Sequence, residues 1–372
     1  MRYLHYYTFL FLVMVSFRAF GGGNHPARAA LVNHIAAYYP EQLTNPQKKN
    51  RITMSQFGYN LSYFSINVFP ITSFINLDDF GIHSYAQPGR KEKNGSLYSC
   101  RGGFIDFTHL RAAIDWTVYL TFTILSDQQE IKLTPEAGDL KLYFKNTESL
   151  STLDIVEMSQ RIAFERLEWH EAASWHYHRP YHFRSDQLSA FTPEDTYSNF
   201  LGTAIGKQVA LRILNNLETR SYAEIVTEEI NEAIKALEPV ASKKLCKKAY
   251  DIVDRHKQLQ LPADKRNNDV WWDSSILFRD QRYVFKRDID MGPEIDPWLV
   301  PLANELGCPD EQSPEIFTIP SIAGSGISFD SYYDFTITPD TSMFYGKGHK
   351  QVHTPFTEFN TRNFNSVVRI IA

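Results

Sequence analysis

The sequence predicts an α+β protein, in which a helical central layer of about five helices is flanked by short antiparallel strands and long loops. Three observations support this class. Helical segments with clear start signals follow one another between residues 103 and 258. Short apolar stretches broken by turn residues fill 51–98, as in strand and loop. After Leu261, Pro and Gly recur, helical periodicity fades and short strands return.

Five segments carry the helix signals. Residues 103–125 are apolar on nearly every face, which predicts a buried helix, and residues 152–176 form a second long helix. The segment Thr192–Asp195 has the cap, the first-turn proline and the acidic residues that begin a helix, which runs to about 215. The segment Ser221–Glu224 is a capping box that begins the next helix. A lysine-rich helix covers about 241–258.

Strand signals lie between and after these helices. Glu130–Thr134 and Asp139–Lys145 flank a turn that contains Pro and Gly, so they predict a hairpin. Tyr283–Arg287 and Tyr332–Thr338 are further short strands. No internal repeat and no low-complexity tract interrupts this pattern.

The first residues resemble a cleavable export signal. Arg2 provides a positive charge, Phe9–Phe17 is an unbroken apolar stretch, and Ala19 and Gly21 are small residues at the two positions that a signal peptidase reads. Arg18 ends the apolar run well short of the ~20 residues that span a bilayer. We therefore expect a signal peptide at 1–21, and a periplasmic or extracellular protein.

The remaining chain divides into a flexible lead-in at 22–50 and a single large α+β domain at 51–372, with a weak boundary signal near 260. The net charge of −5 argues against a nucleic-acid partner, because such proteins carry a basic surface. No later stretch is long and apolar enough to span a membrane. A small molecule or an envelope polymer remains as the ligand class.

The buried helix at 103–125 carries few charges, and each needs an explanation because buried charge is costly unless it is paired. Arg111 and Asp115 are four residues apart, so they are predicted to neutralise each other on one face. Asp106 and His109 are three apart and share a different face.

The helix at 152–176 offers a matching pair of carboxylates. Glu168 and Glu171 fall on one helical stripe between Phe164 and Trp175, which is unusual for a solvated face. Two facing helices, each with an i,i+3 pair, form the metal sites of carboxylate helix bundles. The sequence therefore predicts a divalent metal site, with zinc, manganese or iron as the ion, held by four side chains: Asp106, His109, Glu168 and Glu171. Glu171 is also a candidate catalytic carboxylate.

A purely structural interpretation stands beside the metal site. Asp106 and His109 would then be a satisfied buried pair, and Glu168 or Glu171 would pair with Arg161 or Arg166. A group of histidines follows in the same region but ranks below Asp106 and His109, because Arg179-Pro180 breaks the helix there; its members are His170, His176, His178 and His182.

Cys100 suggests a different chemistry. It directly precedes the buried helix, and a helix N-terminus lowers the pKa of a thiol, as at the nucleophile of papain-like hydrolases. His109 lies too far along the helix to act as its base, which leaves His83 as the candidate. The competing interpretation is a structural cysteine bonded to Cys308. The third cysteine, Cys246, lies in the lysine-rich helix, and an odd count leaves at least one thiol without an intramolecular partner.

The segment Tyr98–Asp106, continued by His109, Arg111 and Asp115–Thr117, resembles the signature of an uncharacterised bacterial family, domain of unknown function 4056. The resemblance spans roughly 55–372 and is supported by five further segments: Phe57-Gly58, Gly81–His83, Glu171–Trp175, Phe191–Asn199 and Lys286–Asp290. The resemblance implies an exported protein of a Gram-negative bacterium and implies no reaction, substrate or cofactor.

One departure from the family pattern bears on the histidines. The resemblance implies a tyrosine soon after Trp175, where this chain has His176-Tyr177-His178. His176 and His178 are therefore poor candidates for chemistry shared by the family.

Three functions follow from these features. The first is an exported metal-dependent hydrolase built on the two helices. The second is a non-catalytic envelope protein, in which the polar helix residues only fix packing. The third is a papain-like cysteine hydrolase that uses Cys100 and His83.

Overall fold

The computed structural model describes residues 25–46, 74–87, 89–100, 103–133, 138–176, 193–249, 251, 305–308, 319–339 and 359–360. The predicted leader, the predicted strand at Tyr283–Arg287 and the histidines at 178 and 182 lie outside these ranges. Within them the chain has the predicted α+β class, with long helices and short antiparallel sheets.

Three long helices form the centre of the structure. Helix α2 (Phe107–Leu125) is buried over its whole length. Helices α3 (Thr152–His176) and α4 (Pro193–Asn216) pack against it and against each other. A helix that is apolar on all faces is stable only when neighbours surround it, so the composition of α2 places it in the middle of the fold.

Helix α4 approaches α2 closely because of two glycines one turn apart. A Cβ atom on Gly202 would lie 2.6 Å from the Cβ of Ala113, and one on Gly206 would lie 2.7 Å from the Cβ of Thr117. Both distances are far below van der Waals contact. The two glycines therefore set the distance between α2 and α4, and with it the position of every side chain along that interface.

Both ends of α2 are capped by side chains. The Oδ1 atom of Asp106 accepts hydrogen bonds from the backbone N–H groups of Thr108, at 2.6 Å, and His109, at 3.3 Å. At the other end Arg28 donates to the backbone oxygens of Ile124 and Leu125. The predicted helix at 103–125 therefore begins four residues later than expected, because Asp106 ends a strand and caps the helix.

Two further helices pack against this centre. Helix α1 (His25–Tyr38) contacts α2 and occupies part of the segment predicted as a flexible lead-in. Its Ile35 is fully buried, which explains why this part of the chain is ordered against the core. Helix α5 (Tyr222–Ala236) packs on α4 and begins at the predicted capping box, in which Ser221 and Glu224 satisfy each other's backbone N–H groups. Residues 243–249 are also helical.

The strands form two antiparallel sheets. Strands β1 (Ser96–Ser99) and β2 (Gly103–Asp106) form a hairpin that leads directly into α2. The second sheet has the order β3-β4-β5-β6, with bounds Glu130–Leu133, Gly138–Phe144, Tyr333–Pro339 and Phe359–Asn360. Its first two strands are the predicted hairpin and β5 is the predicted strand near 332–338. Within the described ranges, no helix combines the length and apolar character that crossing a bilayer requires.

Candidate functional site

Two histidines face each other where α2, α3 and α4 meet. The ring centroids of His109 on α2 and His170 on α3 are 5.8 Å apart. His109 is buried, and its Nδ1–H donates to Oδ1 of Asn199 on α4 at 3.1 Å. With Oδ1 of Asn199 as the acceptor, the donor is Nδ1–H, and Nε2 is the lone-pair atom of the corresponding tautomer.

The residue before Asn199 ties the same region to the start of α2. The backbone N–H of Asp106 donates to Oγ of Ser198 at 2.8 Å. The carboxylate of Asp106 is turned towards the first N–H groups of α2. Its N-cap role explains the buried charge of Asp106 without a metal ion, and Oδ1 is engaged. Of the predicted metal ligands, Asp106 is therefore primarily a structural residue here.

Helix α3 presents different stripes to its two neighbours. Arg166 lies one turn before His170, and its guanidinium is 4.9 Å from the ring centroid of Trp116 on α2. Phe164 instead packs against Phe200 on α4, with ring centroids 6.3 Å apart. The face of α3 that carries Arg166 and His170 is therefore turned towards α2. Phe164, the first residue of the predicted carboxylate stripe, is turned towards α4 instead.

The two predicted carboxylate ligands are placed only in part. Glu168 and Glu171 lie on α3 close to His170, so their helix packs beside α2 as predicted. Their side chains lie outside the described residues, as does that of His176. Among the side chains that the structure does describe, no three His, Cys, Asp or Glu residues converge as a metal site. The four-ligand set thus stays a prediction: its described members are Asp106 and His109, and His170, which was not in the set, lies beside His109.

A second polar cluster surrounds His83. Its Nδ1 accepts a hydrogen bond from Nη1 of Arg111 at 3.4 Å, and its Nε2–H donates to Oδ1 of Asp115 at 2.8 Å. Asp115 also accepts from Tyr222 Oη at 2.8 Å and from the backbone N–H of Ala86 at 2.9 Å. All four side chains in this cluster are buried.

This cluster revises the predicted pairing of Arg111 with Asp115. Both residues are buried as expected, but His83 bridges them and each has a partner from outside α2. Nη1 of Arg111 lies 3.5 Å from the buried carboxylate of Glu92, and Nη2 donates to the backbone oxygen of Phe80 at 2.7 Å. The network fixes the irregular segment 80–92 onto α2, which sequence spacing within one helix does not reveal.

Cys100 is bonded to Cys308, with their Cα atoms 5.5 Å apart. A sulfur in a disulfide is not a thiolate, and both ring nitrogens of His83 are engaged by Arg111 and Asp115. These contacts take Cys100 and His83 out of the predicted nucleophile–base pair and correct that assignment. The disulfide instead agrees with the competing interpretation of Cys100 as a structural cysteine bonded to Cys308. Cys246 is a buried free thiol, and burial raises its pKa.

Arg161, one of the two arginines offered as partners for Glu168 and Glu171, contacts acidic residues elsewhere. Nε of Arg161 lies 3.1 Å from Oε1 of Glu165, and its Nη2 donates to Asp330 at 3.0 Å. Tyr333 on β5 donates to Glu165 at 2.8 Å. Burial raises the pKa of Glu165 and raises that of Tyr333 well above its ordinary value. This cluster joins α3 to the β3–β6 sheet.

Three residues at the centre of this site were missed or ranked low from sequence. Ser198 and Asn199 are polar residues in an apolar stretch of α4, between buried Tyr197 and Phe200. Polar residues at buried positions of a helix could have pointed to Ser198 and Asn199. The same pattern singled out His109 on α2. His170 ranked below Asp106 because it was grouped with the loop histidines that follow it.

One of three comparisons with known proteins identifies a family, and none adds chemistry. No curated protein and no solved structure matches the chain. Residues 41–301 match the profile of a family described as a protein of unknown function, DUF4056, which is the family that the β1–α2 signature resembles. Because this match covers well over half of the sequence, the chain belongs to the DUF4056 family.

Proposed function

We propose that this protein is an exported metal-dependent hydrolase, in which His109 and His170 are the imidazole ligands of a divalent metal ion. The observation that carries the proposal is the facing of these two rings across the α2–α3 interface. Zinc, manganese and iron all accept imidazole together with carboxylate. A carboxylate of Glu168 or Glu171 completes the site in this proposal, as the sequence pattern suggests.

The ring separation supports a shared ion. A metal–nitrogen bond of about 2.0–2.1 Å puts the centroids of two imidazoles on one ion roughly 5–6.4 Å apart, depending on the bond angle. The 5.8 Å between His109 and His170 lies inside this range. The bound ion would lower the pKa of a coordinated water and so supply the nucleophile for hydrolysis.

Asn199 supports the role of His109 as a ligand. Metal-binding histidines almost always donate their other ring N–H to an oxygen, which fixes the tautomer and the ring orientation. The Nδ1–H group of His109 makes such a bond to Oδ1 of Asn199. Nε2, the atom with the lone pair, is therefore the ligand atom in the proposal.

The disulfide supports the export part of the proposal. Disulfides persist in oxidising compartments, such as the periplasm, and are rare in the cytosol. Cys100 and Cys308 are joined across 208 residues of sequence. Together with the leader-like residues 1–21, this favours a protein that folds after export. Mass spectrometry of protein recovered from the periplasm or medium tests this, and an intact Met1 on that protein would contradict it.

The metal proposal is tested by elemental analysis of the purified protein after loading with zinc and removal of excess ion. We expect about one ion per chain, and a lower melting temperature after chelation. His109→Ala and His170→Ala should each lose the ion and the chelator effect. His34→Ala is the matched control, because His34 is a partly exposed histidine that binds the backbone oxygen of Glu218. Equal metal retention in all three variants would rule out this site.

A non-catalytic envelope protein is the second candidate, and the His83 network favours it. There, buried polar groups hydrogen-bond one another and connect a loop to two helices, which is a packing function. A metal-loaded protein that cleaves no carboxylic ester, phosphoric ester or amide probe would favour this candidate. Hydrolysis that disappears on chelation would favour the metal-dependent hydrolase.

A further inference from the structure

The carboxamide of Asn199 is fully buried and uses only one of its two ends. Its Oδ1 accepts from Nδ1 of His109, while its Nδ2 has no hydrogen-bond partner among the described residues. A buried amide N–H without an acceptor is destabilising, and native proteins avoid leaving such groups unpaired. The described residues supply no acceptor to this N–H group, which lies next to the atom that holds His109.

Several of the described side chains near this point carry nitrogen groups, and Asp106 is a carboxylate among them. His109 and His170 contribute two imidazoles, and Arg166 places a buried guanidinium one turn from His170. The first N–H groups of α2 add the positive end of a long helix dipole, partly offset by Asp106. An acceptor that settles among such groups is favoured when it carries negative charge.

We infer that Asn199 Nδ2 donates a hydrogen bond to an oxygen of an oxyanionic ligand, a phosphate or a carboxylate group, bound beside His109 and His170. The inference rests on the proposed function, because it names the substrate class of the proposed hydrolase. The substrate then carries an oxyanion, or develops one, at the group that is cleaved. Asn199 has two roles in this account: its oxygen positions His109 and its nitrogen binds the ligand.

The substitution Asn199→Asp separates these two roles. The aspartate keeps an oxygen that accepts from His109, so metal binding is expected to remain. It lacks the amide donor and adds a negative charge, so an anion should bind less well. Asn199→Ser is a second variant that removes the amide donor without adding charge, because the serine hydroxyl lies one bond short of the position of Nδ2. Thr203→Ala is the control, because Thr203 is buried on the same helix and donates only to the backbone oxygen of Phe200.

The test is titration of the full mature chain with inorganic phosphate and, separately, with acetate, followed by calorimetry and by melting temperature. We expect saturable binding to the wild type and to Thr203→Ala, and an affinity lower by about tenfold or more in Asn199→Asp and Asn199→Ser, the effect of one charge-assisted hydrogen bond. The better of the two anions identifies the oxyanion type. Binding is compared at constant ionic strength, because phosphate also stabilises proteins without a site.

The outcomes separate this inference from the proposed function. A wild type that binds neither anion overturns the inference even if zinc binds, and so does equal anion affinity in the wild type and the Asn199 variants. A wild type that binds an anion through Asn199 but retains no metal overturns the metal site and leaves the oxyanion site standing. Loss of both anion and metal in Asn199→Asp, with Thr203→Ala unaffected, shows that Asn199 acts only by positioning His109, and this also overturns the inference.

Discussion

His83 Nε2 lies 2.8 Å from Oδ1 of Asp115, and this contact links an irregular loop to the buried helix α2. The same carboxylate accepts from Tyr222 on α5, so three parts of the chain meet at one side chain. Asp115→Ala leaves a buried network without its acceptor. We expect a loss of ~3–5 kcal/mol in the free energy of unfolding.

Urea denaturation of Asp115→Ala measures this loss. Asp78→Ala is the control, since Asp78 is an exposed aspartate on a short 3-10 turn. If both substitutions change the denaturation midpoint equally, the network contributes no more than a surface charge.

Gly202→Ala should push α4 away from α2. The added Cβ would lie 2.6 Å from the Cβ of Ala113, and only movement of a helix backbone relieves that clash. Overpacking of this kind costs ~1–3 kcal/mol or more. Gly324→Ala is the control, because its nearest neighbour, Oδ1 of Asp154, would be at an ordinary 3.5 Å. A Gly202→Ala protein as stable as the wild type would mean that the helices are farther apart than described.

The Cys100–Cys308 disulfide should contribute strongly to stability, because it closes a loop of 208 residues in the unfolded chain. Removal of a native disulfide typically costs ~2–5 kcal/mol. Cys308→Ser should therefore lower the melting temperature, and a reductant should lower that of the wild type to a similar value. The reductant should leave Cys308→Ser unchanged. A wild type that melts identically with and without reductant would contradict the prediction.

Glu165 should make the protein less stable as the pH rises, whereas a surface acid paired with a base makes a protein more stable as the pH rises. Burial raises its pKa above the ordinary value of 4.5, so the folded protein holds this proton more tightly than the unfolded chain. Its contribution is fully present below about pH 4.5 and is lost as the pH rises through the folded-state pKa. Glu165→Gln cannot titrate and should gain stability relative to the wild type between acidic and neutral pH. Parallel stability curves for the two proteins would contradict this assignment.

Much of the fold could be predicted because its signals are local. The bounds of α3, the capping box of α5 and the β3–β4 hairpin depend on residues a few positions apart, and the structure places them where the sequence does. The beginning of α2 was predicted four residues early. There, Asp106 was assigned a ligand role although an aspartate before a long apolar helix is also a typical N-cap.

The contacts that define the site depend on tertiary packing, and sequence spacing reports them poorly. Arg111 and Asp115 have the spacing of a helical pair, yet His83 enters between them from another segment. Asn199 meets His109 only because Gly202 and Gly206 bring α4 close to α2. That pair of small residues four apart is visible in the sequence and is the signal that would have predicted the α2–α4 contact.

X-ray absorption spectroscopy at the zinc edge of the loaded protein tests the central claim most directly, because it reports the ligands of the ion itself. The account predicts two imidazole ligands with zinc–nitrogen distances of about 2.0–2.1 Å, reduced to one in His109→Ala or His170→Ala wherever residual ion remains. The His34→Ala control should give the wild-type spectrum. A wild-type spectrum without imidazole scattering, or one that neither substitution at His109 nor at His170 changes, would contradict the site.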